Sequence, residues 1–160
     1  MSRIKYYDNH ISENDMQWLE KELLSENFPY YYQNSVTNFD NDYMFAHSLV
    51  RDCKNNSDWA ELIIPKIMEK ISFEKIIRAK INLYPKTDKI IKHPFHIDNN
   101  NVHKVALFYV NSNDGYTEFE DTKRITSNRN RLLLFDGDRR HRSTTCTNSK
   151  VRINININYE

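Results

Sequence analysis

The pattern of apolar and polar positions divides the chain into a first part with helical periodicity and a second part with strand periodicity. Apolar residues from Trp18 to Leu24 recur near helical spacing. Ser12 is a good N-cap in front of them, because its side-chain oxygen can accept a hydrogen bond from a free backbone N–H of the first turn. We therefore predict a first amphipathic helix over about 12–26.

A second amphipathic helix is predicted over about 58–71. Asp58 and Glu61 resemble a capping box, and the isoleucines after them form an apolar stripe. Pro65 is expected to kink this helix or to mark its true start. Residues 28–56, between the two helices, are aromatic and Asn-rich without a clear period, so we assign them to loops and short strands.

From Phe73 onward, β-branched and aromatic runs alternate with turn residues, which is typical of strands. The predicted strands are about 75–84, 94–97, 102–111, 116–120, 131–135, 139–143 and 150–158. Asp136 and Gly137 form a two-residue hairpin signal that predicts a direct turn between the strands on either side.

The last predicted strand alternates almost strictly between apolar and polar residues. One face carries Ile153, Ile155 and Ile157, and the other carries Arg152, Asn154, Asn156 and Asn158. Many short antiparallel strands after two helices predict a mostly β (α+β) protein. We expect a β-sandwich or jelly roll with the helices buttressing one sheet.

Composition excludes several common enzyme classes. Gly115 and Gly137 are the only glycines, too few for a dinucleotide-binding loop, a P-loop or a nucleophile elbow. Cys53 and Cys146 are the only cysteines, which suits a reducing compartment. The longest apolar run, 105–110, is too short to cross a bilayer. We expect a soluble cytoplasmic protein that does not contact membranes.

The formal net charge of +1 hides an uneven distribution. Residues 1–62 carry five basic and eleven acidic side chains, a net charge of −6, whereas residues 123–152 carry nine basic and two acidic ones, a net charge of +7. This gradient would draw an anionic ligand toward the C-terminal half. A basic face exposed to solvent is the alternative, and the sequence leaves both open.

His96-Ile97-Asp98 is the most informative short motif. In an extended segment, its imidazole and carboxylate lie on the same face. A second histidine on a neighbouring strand would complete the two histidines and one carboxylate that non-haem Fe(II) oxygenases use. His141, which follows the predicted Asp136–Gly137 hairpin, is the natural candidate. Alone, a His-x-Asp tripeptide is a weak signal, and a surface loop is the alternative interpretation.

Arg152 strengthens the metal-site interpretation. It lies eleven positions after His141, on the polar face of the last strand. A buried guanidinium there can bind a carboxylate through two parallel, charge-assisted hydrogen bonds. Metal ligands at one end and an arginine at the other predict a slot for a dicarboxylate.

With these residues in order, the chain resembles the 2-oxoglutarate- and Fe(II)-dependent dioxygenases of the double-stranded β-helix fold. The similarity is to the prolyl-hydroxylase-like branch and its short phage and marine-microbe members. The residues that carry it are Ile81–Pro85, His96–Asp98, Val105–Asn111, Asp114–Phe119, Asn130–Phe135, His141 and Val151–Ile153. The resemblance implies one dioxygenase domain over 1–160, with helical support over about 1–72 and a jelly-roll core over about 73–158.

The resemblance implies that His96, Asp98 and His141 are the catalytic, iron-ligating residues. Arg152 would bind the distal carboxylate of 2-oxoglutarate. Tyr109 would reach the same carboxylate and Tyr84 would line the same pocket, although a core aromatic is the alternative for each tyrosine.

Two departures from the family pattern put the substrate in doubt. A glycine pair in many relatives appears here as Gly115-Tyr116, and basic residues crowd His141, namely Arg139, Arg140 and Arg142.

The activity implied is hydroxylation of an unactivated C–H bond with release of succinate and CO2. Fe(II), 2-oxoglutarate and O2 would be required, with ascorbate as a candidate addition. The partners are 2-oxoglutarate and an unidentified primary substrate, a peptide or a small molecule. A peptidyl proline is the substrate that the family suggests, and nucleic acid stays open. The sequence does not indicate the oligomeric state.

The remaining histidines of this region are left out of the predicted site. His93 should point away from the His96 and Asp98 face, at the surface or in support of the site. His103 opens the next strand, but a site of two histidines and one carboxylate needs no fourth ligand. Cys146 is expected to be a small buried apolar residue.

Two other functions compete with the oxygenase. A metal-free β-sandwich would bind carbohydrate, peptide or nucleic acid, using tyrosines for stacking and arginines for phosphates. The residues available for this are Tyr30, Tyr31, Tyr32, Tyr43 and the arginines from Arg124 to Arg142. A cupin-type metalloenzyme without 2-oxoglutarate is the other, but it would have no use for Arg152.

Overall fold

The computed structural model describes residues 4–37 and 40–160. The helices in this part are α1 (Glu13–Leu23) and α2 (Trp59–Met68). The strands are β1 (Lys5–Tyr7), β2 (Tyr31–Gln33), β3 (Met44–Arg51), β4 (Lys54–Asn55), β5 (Ile76–Pro85), β6 (Lys104–Tyr109), β7 (Tyr116–Phe119), β8 (Arg124–Thr126), β9 (Arg131–Asp136), β10 (His141–Arg142) and β11 (Val151–Tyr159).

The strands form two antiparallel sheets. In the described ranges, the larger sheet has the order β1-β9-β6-β11-β5-β3-β2, with β4 also paired to β3, and the smaller has the order β10-β7-β8. The mostly β jelly-roll architecture predicted from the sequence is confirmed. Residues 1–72, which were predicted to provide helical support, also contribute strands β1 to β4 to the larger sheet.

The larger sheet buries both of its faces. On one face, the isoleucines of β11 are fully buried with the apolar residues of α1 and α2. On the other face, Val105, Leu107 and Tyr109 of β6 pack against Phe119 and Ile125 of the smaller sheet. The alternation predicted for β11 is confirmed, and it places the polar residues of that strand between the two sheets.

Both helices form where the periodicity places them, but one predicted cap is wrong. The Ser12 side chain caps α1 by accepting a hydrogen bond from the Asp15 N–H at 3.1 Å. The Asp58 side chain makes no capping bond in α2, and the Ser57 hydroxyl accepts from the Trp59 N–H instead, at 3.3 Å. Pro65 lies inside α2, so it does not mark the start of that helix.

The predicted Asp136–Gly137 hairpin is wrong. Strand β9 pairs with β1 and β6 in the larger sheet, whereas β10 pairs with β7 in the smaller one, so the turn passes between sheets. Gly137 does not have the positive φ that a type I′ turn requires. A glycine is needed at position 137 for close packing, because a Cβ there would lie 2.3 Å from the His103 ring.

The predicted strand over 94–97 is reduced to one isolated bridge, between His96 and His141. Strand β8 was missed, and the 28–56 segment contains the eight-residue strand β3. No helix in residues 4–37 and 40–160 combines the length and apolar character needed to cross a lipid bilayer. The cytoplasmic location stays a prediction.

Candidate active site

The structure brings together His96, Asp98 and His141, whose potential ligand atoms all lie within 4.8 Å of one another. Backbone pairing holds the two histidines side by side: the His96 N–H donates to the His141 carbonyl at 2.9 Å, and the reverse bond is 3.0 Å long. Their rings lie 4.7 Å apart between centroids. Strand β7 fixes His141 in turn, through its pairing with Phe119.

In both imidazoles Nε2 is the ring nitrogen left for a metal, and Nε2 of His96 lies 3.5 Å from Asp98 Oδ1. His96 Nδ1 lies 3.3 Å from the Pro94 carbonyl oxygen, and His141 Nδ1 lies 2.9 Å from that of Arg139. A carbonyl can only accept, so Nδ1 carries the proton and Nε2 keeps its lone pair. Burial lowers the pKa of His141, which favours the neutral ring that a metal requires.

The Asp98 carboxylate is buried, with 3% of its side chain exposed, and is held by amides of β11. Asn156 and Asn158 donate to its Oδ2 at 2.9 and 3.0 Å, and Arg78 lies 3.3 Å from Oδ1. Burial alone would raise the pKa of Asp98, but hydrogen bonding and the nearby positive charge, that of Arg78 included, hold the pKa well below its ordinary value. Asp98 therefore remains an ionised ligand in a fixed orientation.

Arg152 is a buried cation without a carboxylate partner among the described residues. It is 0% exposed, and no ion pair involves it there. Its Nη1 reaches the Thr144 carbonyl at 3.3 Å, its Nη2 reaches the Thr117 hydroxyl at 3.4 Å, and its Nε has no partner. Since burying an unpaired charge is costly, this arrangement fits an anionic ligand.

Tyr84 and Tyr109 enclose the guanidinium. Its central carbon lies 5.3 Å from the Tyr84 ring centroid and 5.7 Å from that of Tyr109. Burial raises the pKa of both tyrosines against the opposing charge of Arg152, so both remain neutral phenols. The Tyr109 hydroxyl donates to the Thr117 hydroxyl at 2.7 Å.

A cleft of about 290 Å³ connects the two parts of the site. Its lining includes the three potential metal ligands and, near the guanidinium, Tyr84, Thr117, Ser143 and Asn154. Tyr109 and Arg152 lie behind this lining. The sequence leaves Asn154 and Asn156 equally open to a cavity or to solvent, and in the structure both line the cleft.

The comparisons with known proteins bear on the fold. No protein-family model matches the sequence, and no curated protein matches it either. A 2OG-Fe(II) oxygenase family protein from Burkholderia pseudomallei is similar in structure, with a TM-score of 0.71, 11% identity, and coverage of 99% of this chain and 84% of that one. The chain has the 2-oxoglutarate and Fe(II) oxygenase fold.

Other structures with the oxygenase fold agree. The viral collagen prolyl hydroxylase of Paramecium bursaria Chlorella virus-1, in a 2-oxoglutarate complex, has a TM-score of 0.64 at 11% identity, covering 98% of this chain and 96% of that one. The carbocyclase SnoK from nogalamycin biosynthesis has a TM-score of 0.72 at 9% identity, covering 99% of this chain and 79% of that one. The resemblance to the prolyl-hydroxylase-like branch is confirmed for the fold.

The residues at the site fit the groups that the oxygenase fold implies. Two imidazoles and a carboxylate suit a non-haem Fe(II) centre. Arg152 has no carboxylate partner among the described residues and is enclosed by two tyrosines and two threonines at the inner end of the cleft, which suits the far carboxylate of a diacid.

The sequence did not indicate how Gly115 and His93 contact the site. A Cβ at Gly115 would lie 2.5 Å from the Arg152 Cδ. His93 lies outside the ligand set, as expected, and of the two places expected for it the structure shows the one in support of the site, because it is buried. It stacks on Tyr84 with centroids 5.3 Å apart, and burial followed by the charge of Arg152 lowers its pKa to about 4.

His103 and Cys146 lie outside the group of potential metal ligands, as predicted. His103 is buried outside the His96, Asp98 and His141 group, and its Nδ1 lies 2.7 Å from the Asn101 carbonyl oxygen. Cys146 is fully buried.

Proposed function

We propose that the chain is a single-domain 2-oxoglutarate- and Fe(II)-dependent oxygenase that hydroxylates an unactivated C–H bond of its substrate. The observation that carries this proposal is the buried guanidinium of Arg152, which has no carboxylate partner among the described residues and lies behind the inner end of the cleft that His96, Asp98 and His141 line. A cupin-type enzyme without 2-oxoglutarate would have no reason to bury that charge. The same observation favours an enzyme over a metal-free binding module.

In the proposed enzyme, His96, His141 and the Asp98 carboxylate would hold Fe(II), the two histidines through Nε2. When bound, the iron with 2-oxoglutarate and O2 supplies the oxidation of the C–H bond, and succinate and CO2 are released. Asn156 and Asn158 fix the Asp98 carboxylate so that it presents its oxygens to the cleft.

The cosubstrate is oriented by the other end of the cleft. Arg152 binds the distal carboxylate of 2-oxoglutarate, and Tyr84 lines the pocket around it. Tyr109 supports the pocket through Thr117, because its hydroxyl donates to that residue. Buried aromatic residues around Arg152 exclude water, which strengthens the charge interaction.

The test is a titration of 2-oxoglutarate into the protein with and without Mn(II), by isothermal titration calorimetry. We expect binding of one equivalent that depends on Mn(II), together with Fe(II)-dependent release of succinate. Screening of peptides, free amino acids and metabolites for a mass gain of one oxygen atom then addresses the substrate, with a peptidyl proline as one candidate. Absence of metal-dependent 2-oxoglutarate binding would refute the proposal.

A further inference from the structure

A second cleft adjoins the candidate active site. Its volume is about 650 Å³, within the range of about 300–1,000 Å³ that is usual for ligand pockets, whereas the first cleft has about 290 Å³. Gln33 of β2 and Lys80 of β5 line both clefts, so they form the boundary between them. A molecule that reaches the metal ligands from the second cleft has to pass Lys80.

Lys80 is a partly buried cation with Arg78, Asp98 and Arg51 as its charged neighbours. In β5, it is paired with Ser48 of β3 on one side and with Asn156 of β11 on the other. The Asn156 side chain donates a hydrogen bond to Asp98. No hydrogen bond or ion pair within residues 4–37 and 40–160 involves its ammonium group. Burial, together with the charges of Arg78 and Arg51, lowers the pKa of Lys80.

The nearby charges leave Lys80 and Arg51 available to a ligand. Arg78 is bonded to Asp98, and Asp98 is engaged by its amide donors and, in the proposed enzyme, by the metal. In the described residues, Asp58 is the carboxylate that lines the second cleft. Arg51 lies at the exposed end of β3, on the wall of that cleft.

The rest of the second cleft offers ring surface. Tyr31 lines it with 62% of its surface exposed, and Trp59 lines it from the start of α2. Two cations beside exposed aromatic surface form a binding site for an oxyanion attached to an apolar or ring-bearing body.

We propose that the primary substrate is an anion whose carboxylate or phosphate group binds Lys80 and Arg51 in the second cleft, while its reacting carbon lies in the first. This inference rests on the proposed oxygenase function. Because a charge-assisted hydrogen bond to Lys80 would offset the repulsion from its basic neighbours, an oxyanion is favoured there over a neutral group.

The test uses ring-bearing probes on the full chain. Phenyl phosphate, phenylacetate and the neutral benzyl alcohol are titrated by calorimetry into the protein saturated with Mn(II) and 2-oxoglutarate, and into the protein alone. We expect at least one anion to bind about tenfold or more tightly than benzyl alcohol in both states. The tighter of the two anions identifies the substrate group as phosphate or carboxylate.

Variants locate the binding. We expect Lys80→Met to weaken anion binding about tenfold or more and Lys80→Arg to retain most of it. Lys5→Met, at an exposed strand lysine on the opposite edge of the same sheet, should change nothing. Arg51→Met, at an exposed position, gives a second measurement that does not depend on the folding of Lys80→Met.

Three results would overturn the inference: anions and benzyl alcohol binding alike, anion binding unaffected by both Lys80→Met and Arg51→Met, or anion binding abolished by saturating 2-oxoglutarate. The last would mean that Lys80 serves the cosubstrate. Failure of the proposed function is seen separately, as the absence of Mn(II)-dependent 2-oxoglutarate binding in the same wild-type protein.

Discussion

Replacing Arg152 by methionine should have opposite effects on ligand binding and on the stability of the ligand-free protein. The guanidinium is fully buried, makes two long hydrogen bonds and leaves its Nε unpaired. Exchanging a buried charge for an apolar side chain of similar volume is neutral or stabilising by about 1–4 kcal/mol. Loss of the contacts with the two tyrosine rings offsets about 0.5–2 kcal/mol of this. We therefore expect the free energy of unfolding of the ligand-free variant to lie between about 2 kcal/mol below and about 3.5 kcal/mol above that of the wild type.

The effect on 2-oxoglutarate should be large. Removing one partner of a buried, hydrogen-bonded charge pair costs about 2–5 kcal/mol, which is about 30-fold to 4,000-fold in the dissociation constant. At a 2-oxoglutarate concentration about 100 times the wild-type dissociation constant, the ligand stabilises the wild type by about 2.7 kcal/mol. A variant that binds about 30-fold more weakly gains only about 0.9 kcal/mol.

Thermal unfolding with Mn(II), with and without 2-oxoglutarate, measures both effects. For a chain of 160 residues, the ligand should raise the wild-type Tm by about 5–11 °C and the variant Tm by about 2–4 °C. Lys150→Met is the matched control, because it removes an exposed cation two positions earlier. A dissociation constant within about threefold of the wild type, or a ligand-free variant destabilised by more than about 2 kcal/mol, would refute the assignment of Arg152.

Three further changes test the rest of the site. His96→Ala should abolish Mn(II) binding, measured by calorimetry, with an unchanged far-ultraviolet circular dichroism spectrum, because a tripod of ligands loses one arm; retained binding would remove His96 from the site. In Gly115→Ala the new Cβ would lie 2.5 Å from the Arg152 Cδ, so we expect Arg152 to be displaced and 2-oxoglutarate binding to weaken. We also expect a loss of about 1–3 kcal/mol in the free energy of unfolding, and an unaffected affinity would contradict the prediction. Burial alone would raise the pKa of Glu118, but hydrogen bonds from Arg124 and Arg142 lower it from 4.5 to about 2. This carboxylate therefore stabilises the fold above about pH 4.5, and its contribution is lost as the pH falls toward 2. Urea unfolding at about pH 6 and pH 3 should show a smaller loss for Glu118→Gln than for the wild type, whereas equal losses would mean that Glu118 does not couple to folding.

Local sequence patterns determined the parts of the site that lie within one segment. Strand β11 alternates almost strictly because one of its faces packs on the helices, and this put Arg152 and the asparagines together on the opposite, polar face. The His96 and Asp98 pair could be predicted for the same reason, since both ligands lie two positions apart. The amphipathic helices and the jelly-roll class followed from periodicity.

The tertiary structure decided which distant segments meet. His141 does approach His96, but through a bridge in the smaller sheet and not through the predicted hairpin at Asp136–Gly137. The packing of Gly115 against Arg152 likewise joins segments far apart in the chain. Periodicity along a strand reports which of its faces is buried, whereas its pairing partner depends on contacts across the whole chain that no local pattern encodes. The sequence by itself determined the candidate metal ligands and the arginine. Only the fold decided that one cleft connects the metal ligands to the pocket around Arg152, and that a second cleft lies beyond Lys80.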